Sequence, residues 1–309
     1  MYKVAYIIGD RFLYWSPILI GLGVLAAVCM FLSLHLGRTG KAAGAFVAVP
    51  LALGLSLLMG RLICWICTPG SYDSLGKALA DFSTKDIALA GAFMGCVIAA
   101  CLVRLAGLTK ELPTMLDAMS LAGLFGIAVG RLSCFFNMAG RSALPGENQE
   151  MPIFLYQIVV CAGLFVALLA FFLTLGRKRP GDTCLLFCLF YGASQAVLDG
   201  IRYDALYLPF LQGLSLAELA GILMMVLVTA LLSWKLIRVK GWKWWYLALW
   251  IPFVGFVRDA AVLLHGIRGV AGSLGNYYMA SALLCAAAAV ALMIYTLLLF
   301  KKQAKIEKT

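Results

Sequence analysis

The sequence predicts an all-α integral membrane protein of about nine transmembrane helices, with the N-terminus outside and the C-terminus cytoplasmic. Three observations carry this. Of the 309 residues, 63% are hydrophobic and only 13% are charged, a balance outside the range of soluble domains. Apolar runs recur at the length of roughly 20 residues that crosses a bilayer as a helix. The basic residues collect between those runs with a one-sided bias.

The runs are taken in chain order. The first covers 12–34; it is too long for a cleavable signal, and no small-residue cleavage pattern comes after it. The second, 42–66, carries the stretch GRLICW at 60–65. The third covers 87–105. The fourth, 114–137, starts near Asp117 and carries GRLSCF at 130–135. The fifth covers 152–175 and the sixth 183–203, the latter with a polar stripe. The seventh covers 213–237. The eighth, 243–266, is interrupted by Pro252, Gly255, Arg258 and Asp259, and the ninth covers 276–300.

Charge fixes the expected orientation. With the N-terminus outside, the cytoplasmic segments hold fifteen of the 25 basic residues, among them Arg38, Lys110, Arg177 to Arg179, Lys235 and the Lys-rich tail from Lys301. The opposite side holds seven, and Arg61, Arg131 and Arg258 fall inside spans. The net charge of +11 is thus mainly a topology signal. Basic residues scattered over short loops argue against a nucleic-acid surface. Of the ten cysteines, most lie inside runs as small packing residues. Cys64 and Cys67 form a CxxC, but no histidine and no second CxxC accompany it, so neither a metal nor a cofactor is expected.

Polar groups in the apolar runs mark the candidate site. Even spans run from inside to outside, which brings Arg61, Arg131 and Arg202 to a similar depth near the outer headgroups, where a phosphate can meet them. In the sixth span Tyr191, Gln195, Asp199 and Arg202 are spaced four, four and three apart, so a helix gathers them into one stripe within about 80°. Such a stripe faces protein or a wet cavity. Asp199 and Arg202 are at pairing distance on that helix. After Arg131 comes a polar segment, NMAGRSALPGENQEM, that adds Asn137, Gly140 and Arg141; backbone N–H groups and guanidinium forks of this kind frame a phosphate. Intramembrane charges can also simply lock helices together, and Asp117, near the inner end of its span, is read as structural.

These residues resemble a known family. DAMSLAGLFGIAVGRLSCFFNMAGR at 117–141 is similar to the signature of bacterial prolipoprotein diacylglyceryl transferases, in which an Asp stands fourteen residues before a motif GR-x-GNF-x-NGE-x-x-GR. Allowing a two-residue deletion, Gly130, Arg131, Phe135, Asn137, Gly140 and Arg141 match it. MPIFLYQ at 151–157 resembles HP-x-Q-LYE, keeping Pro152, Leu155 and Tyr156. YGASQAVLDGIR at 191–202 resembles YG-x-x-R-x-x-x-E-x-x-R, LSLAELAGILM at 214–224 resembles LS-x-x-Q, LAGAFMG at 89–95 resembles FHGGLIG, and Gly60-Arg61 resembles a Gly-Gly-Arg. The likeness spans roughly residues 12–240.

The resemblance implies a seven-helix core with its N-terminus outside, here over 1–240, and two extra helices with a basic tail over 241–309. It implies a multi-pass enzyme of the bacterial cytoplasmic membrane whose active site faces outside. Its substrates would be phosphatidylglycerol and a lipobox-containing prolipoprotein, and diacylglyceryl would pass from the lipid to a cysteine thiol. By matching, Arg131, Tyr191, Asp199 and Arg202 are the catalytic candidates, and Arg61, Arg131, Asn137 and Arg141 the headgroup-binding ones. The chain also departs from the pattern: the family's histidine in FHGG is Ala90, the arginine of YG-x-x-R is Gln195, the asparagine of GNF is Cys134 and the histidine of HP is Met151. His265, placed on the catalytic side by the expected topology, is a candidate replacement base. Three readings therefore stand: a diverged transferase, a catalytically lapsed homologue that binds anionic phospholipid or lipoprotein precursor, and a small-solute transporter. The last is disfavoured because no repeated halves with broken helices are visible.

Overall fold

A computed structural model of the chain describes residues 4–8, 11–40, 42–80, 87–136, 142–143, 150–199, 202, 205–207, 215–242, 283–284 and 286–296. Two strands, β1 (Val4–Ile8) and β2 (Arg11–Tyr14), pair antiparallel and lead into α1 (Trp15–Thr39). Next come α2 (Ala42–Cys67), α3 (Leu75–Ala80), α4 (Leu89–Leu105) and α5 (Leu112–Arg131), which continues into a 3-10 turn over Leu132–Phe135. A second short pair, β3 (Ser142–Ala143) and β4 (Glu150–Met151), precedes α6 (Ile153–Leu173). The remaining described helices are α7 (Asp182–Leu198), α8 (Leu216–Lys240) and α9 (Ala286–Thr296).

The helical expectation is met in part. Five helices, α1, α2, α5 with its 3-10 turn, α6 and α8, are long and apolar enough to cross a membrane, and α4 and α9 are shorter apolar helices. The run expected at 243–266 lies outside the described residues, as does His265. Two corrections are needed. The all-α reading lacked the hairpins: Val4–Ile8 and Arg11–Tyr14 are β-rich stretches separated in sequence by Gly9-Asp10, a dipeptide that hairpins favour, and the adjoining apolar run masked that signal. The helix of the sixth expected span, α7, ends at Leu198, not at 203.

The chain divides into two compact units, residues 1–187 with 201–210, and residues 188–200 with 211–309. Within the first, α1 packs on α5, α2 on α4, and α5 on α6. Its core gathers Phe31, Ala45, Ala48, Ala100, Val103 and Met115. Lipid tails are as apolar as leucine, so membrane helices associate through close backbone approach and small residues rather than through the hydrophobic effect. Gly95 on α4 shows how close: a Cβ there would lie 2.4 Å from the Ser56 backbone nitrogen on α2. One turn away Ser56 Oγ donates to the Ala92 carbonyl at 2.8 Å. Gly95→Ala therefore forces α2 and α4 apart and is expected to cost about 1–3 kcal/mol, read as a lower unfolding temperature in detergent. Gly54→Ala, on α2 with nothing within 4 Å of its Cβ position, should be neutral or stabilising by helix propensity.

Within the second unit the same device joins α7 to α8, where a Cβ on Gly221 would lie 2.4 Å from the Gly192 carbonyl oxygen. Leu236 of α8 and Leu292 of α9 are buried against Ile237 and Tyr295.

Candidate functional site

Four groups of polar residues in and beside these helices bear on the candidate site. The first is at the end of α5. Arg131 is the last residue of the helix and is partly exposed. Among the described residues no hydrogen bond or ion pair engages its guanidinium; its charge reaches the thiol of Cys161 on α6. The 3-10 turn after it buries Ser133 and Cys134. Phe135 then packs edge-on against Phe154 of α6 at 4.9 Å, and Phe136 stacks on Trp15 of α1 at 5.8 Å. Aromatic pairs of this geometry add stability beyond the area they bury, so the turn after Arg131 is held on α1 and α6. Asn137 and Arg141 lie outside the described residues.

The second group is near the end of α2. Arg61 is buried, 3% exposed, and its Nη1 donates to the Ala78 carbonyl of α3 at 3.2 Å. The Ala88 N–H also donates to the Gly60 carbonyl at 3.0 Å. Arg61 thus ties the segment after α2 back onto that helix. Cys64 and Cys67 are buried one and two turns further along.

The third group is the stripe on α7 together with the segment beyond it. Tyr191, Gln195 and Asp199 are all buried, as the four-residue spacing predicts. Helix α7 stops at Leu198, so the helical i, i+3 pairing expected between Asp199 and Arg202 has no helix to rest on. Arg202 is half-buried outside any helix. The Asp199 carboxylate accepts from Ser215 Oγ at 2.9 Å. Ser215 is the N-cap of α8 and forms a capping box: its Oγ accepts from the Glu218 N–H at 3.1 Å, and its own N–H donates to Glu218 Oε2 at 2.6 Å. A capping box satisfies two donors that a helix start leaves open. Here the serine hydroxyl also supplies a hydrogen to Asp199, joining the end of α7 to the start of α8 through fully buried groups.

The fourth group centres on Asp117, expected to be structural, and its contacts show how. Asp117 on α5 is fully buried. One of its carboxylate oxygens accepts from the Gly181 N–H at 2.7 Å and the other from the Cys184 N–H at 2.8 Å. These are open donors at the start of α7. A carboxylate borrowed from another helix therefore does what a capping residue normally does locally, and it places negative charge at the positive end of α7. Arg38 of α1 lies within electrostatic reach of Asp117; its guanidinium donates to the Gly176 carbonyl and stacks over Phe172 at 4.5 Å.

One further residue was quoted within a motif but not singled out by it. Gln157 of α6 is 1% exposed, and neither its Oε1 nor its Nε2 has a hydrogen-bond partner among the described residues. Its signal in sequence is its place at the end of MPIFLYQ, where it stands for the glutamate of HP-x-Q-LYE.

Long apolar helices whose buried polar groups collect towards their ends define a multi-pass helical membrane protein. The prolipoprotein diacylglyceryl transferase family matches residues 3–234, and the chain belongs to that transferase family. Among curated proteins, the chain is 25% identical over 259 residues to a phosphatidylglycerol–prolipoprotein diacylglyceryl transferase of Bacillus licheniformis, covering 77% of this chain and 93% of that protein. It is 25% identical over 260 residues to the protein of the same name from Dehalococcoides mccartyi, covering 77% and 95%. A Gloeobacter violaceus protein of that name is 30% identical over 157 residues, covering 45% and 58%.

Proposed function

We propose that the protein is a phospholipid-dependent transferase at the outer face of the cytoplasmic membrane. It would move diacylglyceryl from phosphatidylglycerol to the cysteine thiol of a lipobox-containing prolipoprotein. The observation that carries this is the family match across residues 3–234, with Arg131 ending α5 as a guanidinium without protein acceptors among the described residues. In the step, the thiol gives up its proton, its sulfur forms a bond to a glyceride carbon, and that carbon's bond to the phosphate oxygen breaks, releasing glycerol phosphate. Charge develops on the leaving phosphate, where a preorganised guanidinium helps most. Arg131 takes that role, with Arg61, Asn137 and Arg141 as further headgroup contacts. Tyr191 lines the site, and Asp199 and Arg202 order it. His265 is the candidate proton acceptor.

Orientation with the N-terminus outside is supported by the distribution of basic residues. A second reading, lipid binding without transfer, is favoured by Ala90 and Gln195, which stand where the resemblance places a histidine and an arginine. The two part in one assay. Purified protein given labelled phosphatidylglycerol and a lipobox peptide releases glycerol phosphate and yields a thioether-linked peptide if it is a transferase. Lipid that binds with no product identifies the second reading.

A further inference from the structure

Helix α8 is long and apolar enough to cross a membrane, and its faces differ. Met225, Val228, Leu232 and Leu236 are buried. Leu223, Leu227 and Trp234 are exposed, at 57%, 61% and 51%, and Arg238 is exposed with them. At about 100° per residue these four fall within about 60° of one another, so they form one stripe along the helix. An exposed apolar stripe on a spanning helix faces lipid. Its chemistry changes along the axis: two leucines, an indole about 10 Å further on, and a guanidinium about 6 Å beyond that. A leaflet has the same order, from tails through the interface to phosphates.

The last two members of the stripe are joined. The Arg238 guanidinium lies over the Trp234 ring, 3.9 Å from its centroid, because a side chain four residues on leans back towards the N-terminus of its helix. Stacking covers one face of the guanidinium and holds its plane. Its N–H groups lie in that plane and stay available. Among the described residues no hydrogen bond or ion pair engages them. The neighbouring sequence brings no carboxylate either: from 219 to 258 the chain has Lys235, Arg238, Lys240, Lys243 and Arg258 and no acidic residue.

We infer that the C-terminal end of α8 binds the headgroup of an anionic phospholipid, with Arg238 taking the phosphate in the plane of its fork and the Trp234 ring meeting the top of the tails. A phosphodiester fits the fork with two oxygens. A free phosphate would match the guanidinium alone, whereas a phospholipid also supplies the tails that Leu223 and Leu227 face. A zwitterionic headgroup would bring its own cation to the same basic cluster. On the orientation proposed above, this end of α8 is cytoplasmic. The site involves none of the residues assigned to transfer, so it stands whether or not the reaction occurs. One stacked guanidinium holds a headgroup weakly, so the site fills in a bilayer, where lipid is the surrounding medium, and not in a dilute detergent titration.

The test uses the full chain in vesicles of equal parts phosphatidylglycerol and phosphatidylcholine. Trp242, 65% exposed just past the end of α8, is replaced by photoreactive p-benzoylphenylalanine, and the captured lipid is identified by mass. Phosphatidylglycerol should be captured in roughly 5-fold excess, the scale of one basic group at a membrane surface, and Arg238→Gln should return the ratio close to one. Arg238→Lys should keep part of the excess, since it keeps the charge but not the fork. Trp234→Leu should also lower the ratio partway, since the guanidinium loses its platform. Lys110→Gln, which removes an exposed charge from another loop, should leave it unchanged. Capture at the vesicle ratio by the protein with Arg238 intact overturns the inference. So does a ratio that Arg238→Gln does not move, an equal fall with Lys110→Gln, or capture of a protein chain in place of lipid.

Discussion

Asp117→Ala is expected to lower stability more than any other single change considered. Both carboxylate oxygens accept backbone N–H groups, from Gly181 and Cys184, at 2.7 and 2.8 Å. Alanine leaves both partly buried donors unmet, at about 1–3 kcal/mol each, and removes the negative charge from the start of α7. A total loss of about 3–5 kcal/mol is expected, measured as a lower unfolding temperature in detergent. Asp117→Asn separates the contributions. Its single carbonyl oxygen can serve one N–H, but its amide presents a donor to the other, so roughly half the loss should remain. An alanine variant as stable as the wild type would show that the capping contact contributes nothing.

Arg131→Ala is expected to have the opposite profile. The guanidinium makes no hydrogen bond or ion pair among the described residues, so its removal breaks no such contact, and stability should change by no more than about 0.5 kcal/mol. Phosphatidylglycerol binding should be lost, and glycerol phosphate release should fall by roughly 10²–10³-fold, the scale for deleting one donor that stabilises developing charge. Arg131→Lys keeps the charge but not the planar two-point fork, so it should fall between. Normal lipid binding by the alanine variant would remove Arg131 from the site. The two experiments form a pair: the change at Asp117 strikes the fold, and the change at Arg131 strikes the ligand, although both residues lie on α5, fourteen positions apart.

The different legibility of these residues has a physical basis. Arg131 could be picked out because an arginine that closes an apolar run, with a polar segment after it, is unusual in one dimension. The burial of Tyr191, Gln195 and Asp199 was legible because helical periodicity alone puts them on one face. That the helix stops at Leu198, which leaves Arg202 outside it, was not legible from the same periodicity. The hydrogen bond from Ser215 to Asp199 needs the chain to turn back, and no spacing rule announces it. Arg61 reads in sequence much like Arg131, each preceded by glycine and followed by leucine. Only the placement of α3 distinguishes them, by bringing the Ala78 carbonyl to one of the two guanidinium groups.

By itself the sequence determined that the protein is a helical membrane protein, where most of its spans begin and end, and which family it resembles. Span length and apolar composition are local properties, fixed by bilayer thickness and readable along the chain. Only the tertiary structure decided which polar groups hold the fold and which are left open. Asp117 caps a helix whose first contact with it lies 64 residues further on, and Gln157 meets no partner among the described residues. In a dry interior the role of a polar group depends on what stands opposite it, and that is settled by packing between helices far apart in sequence.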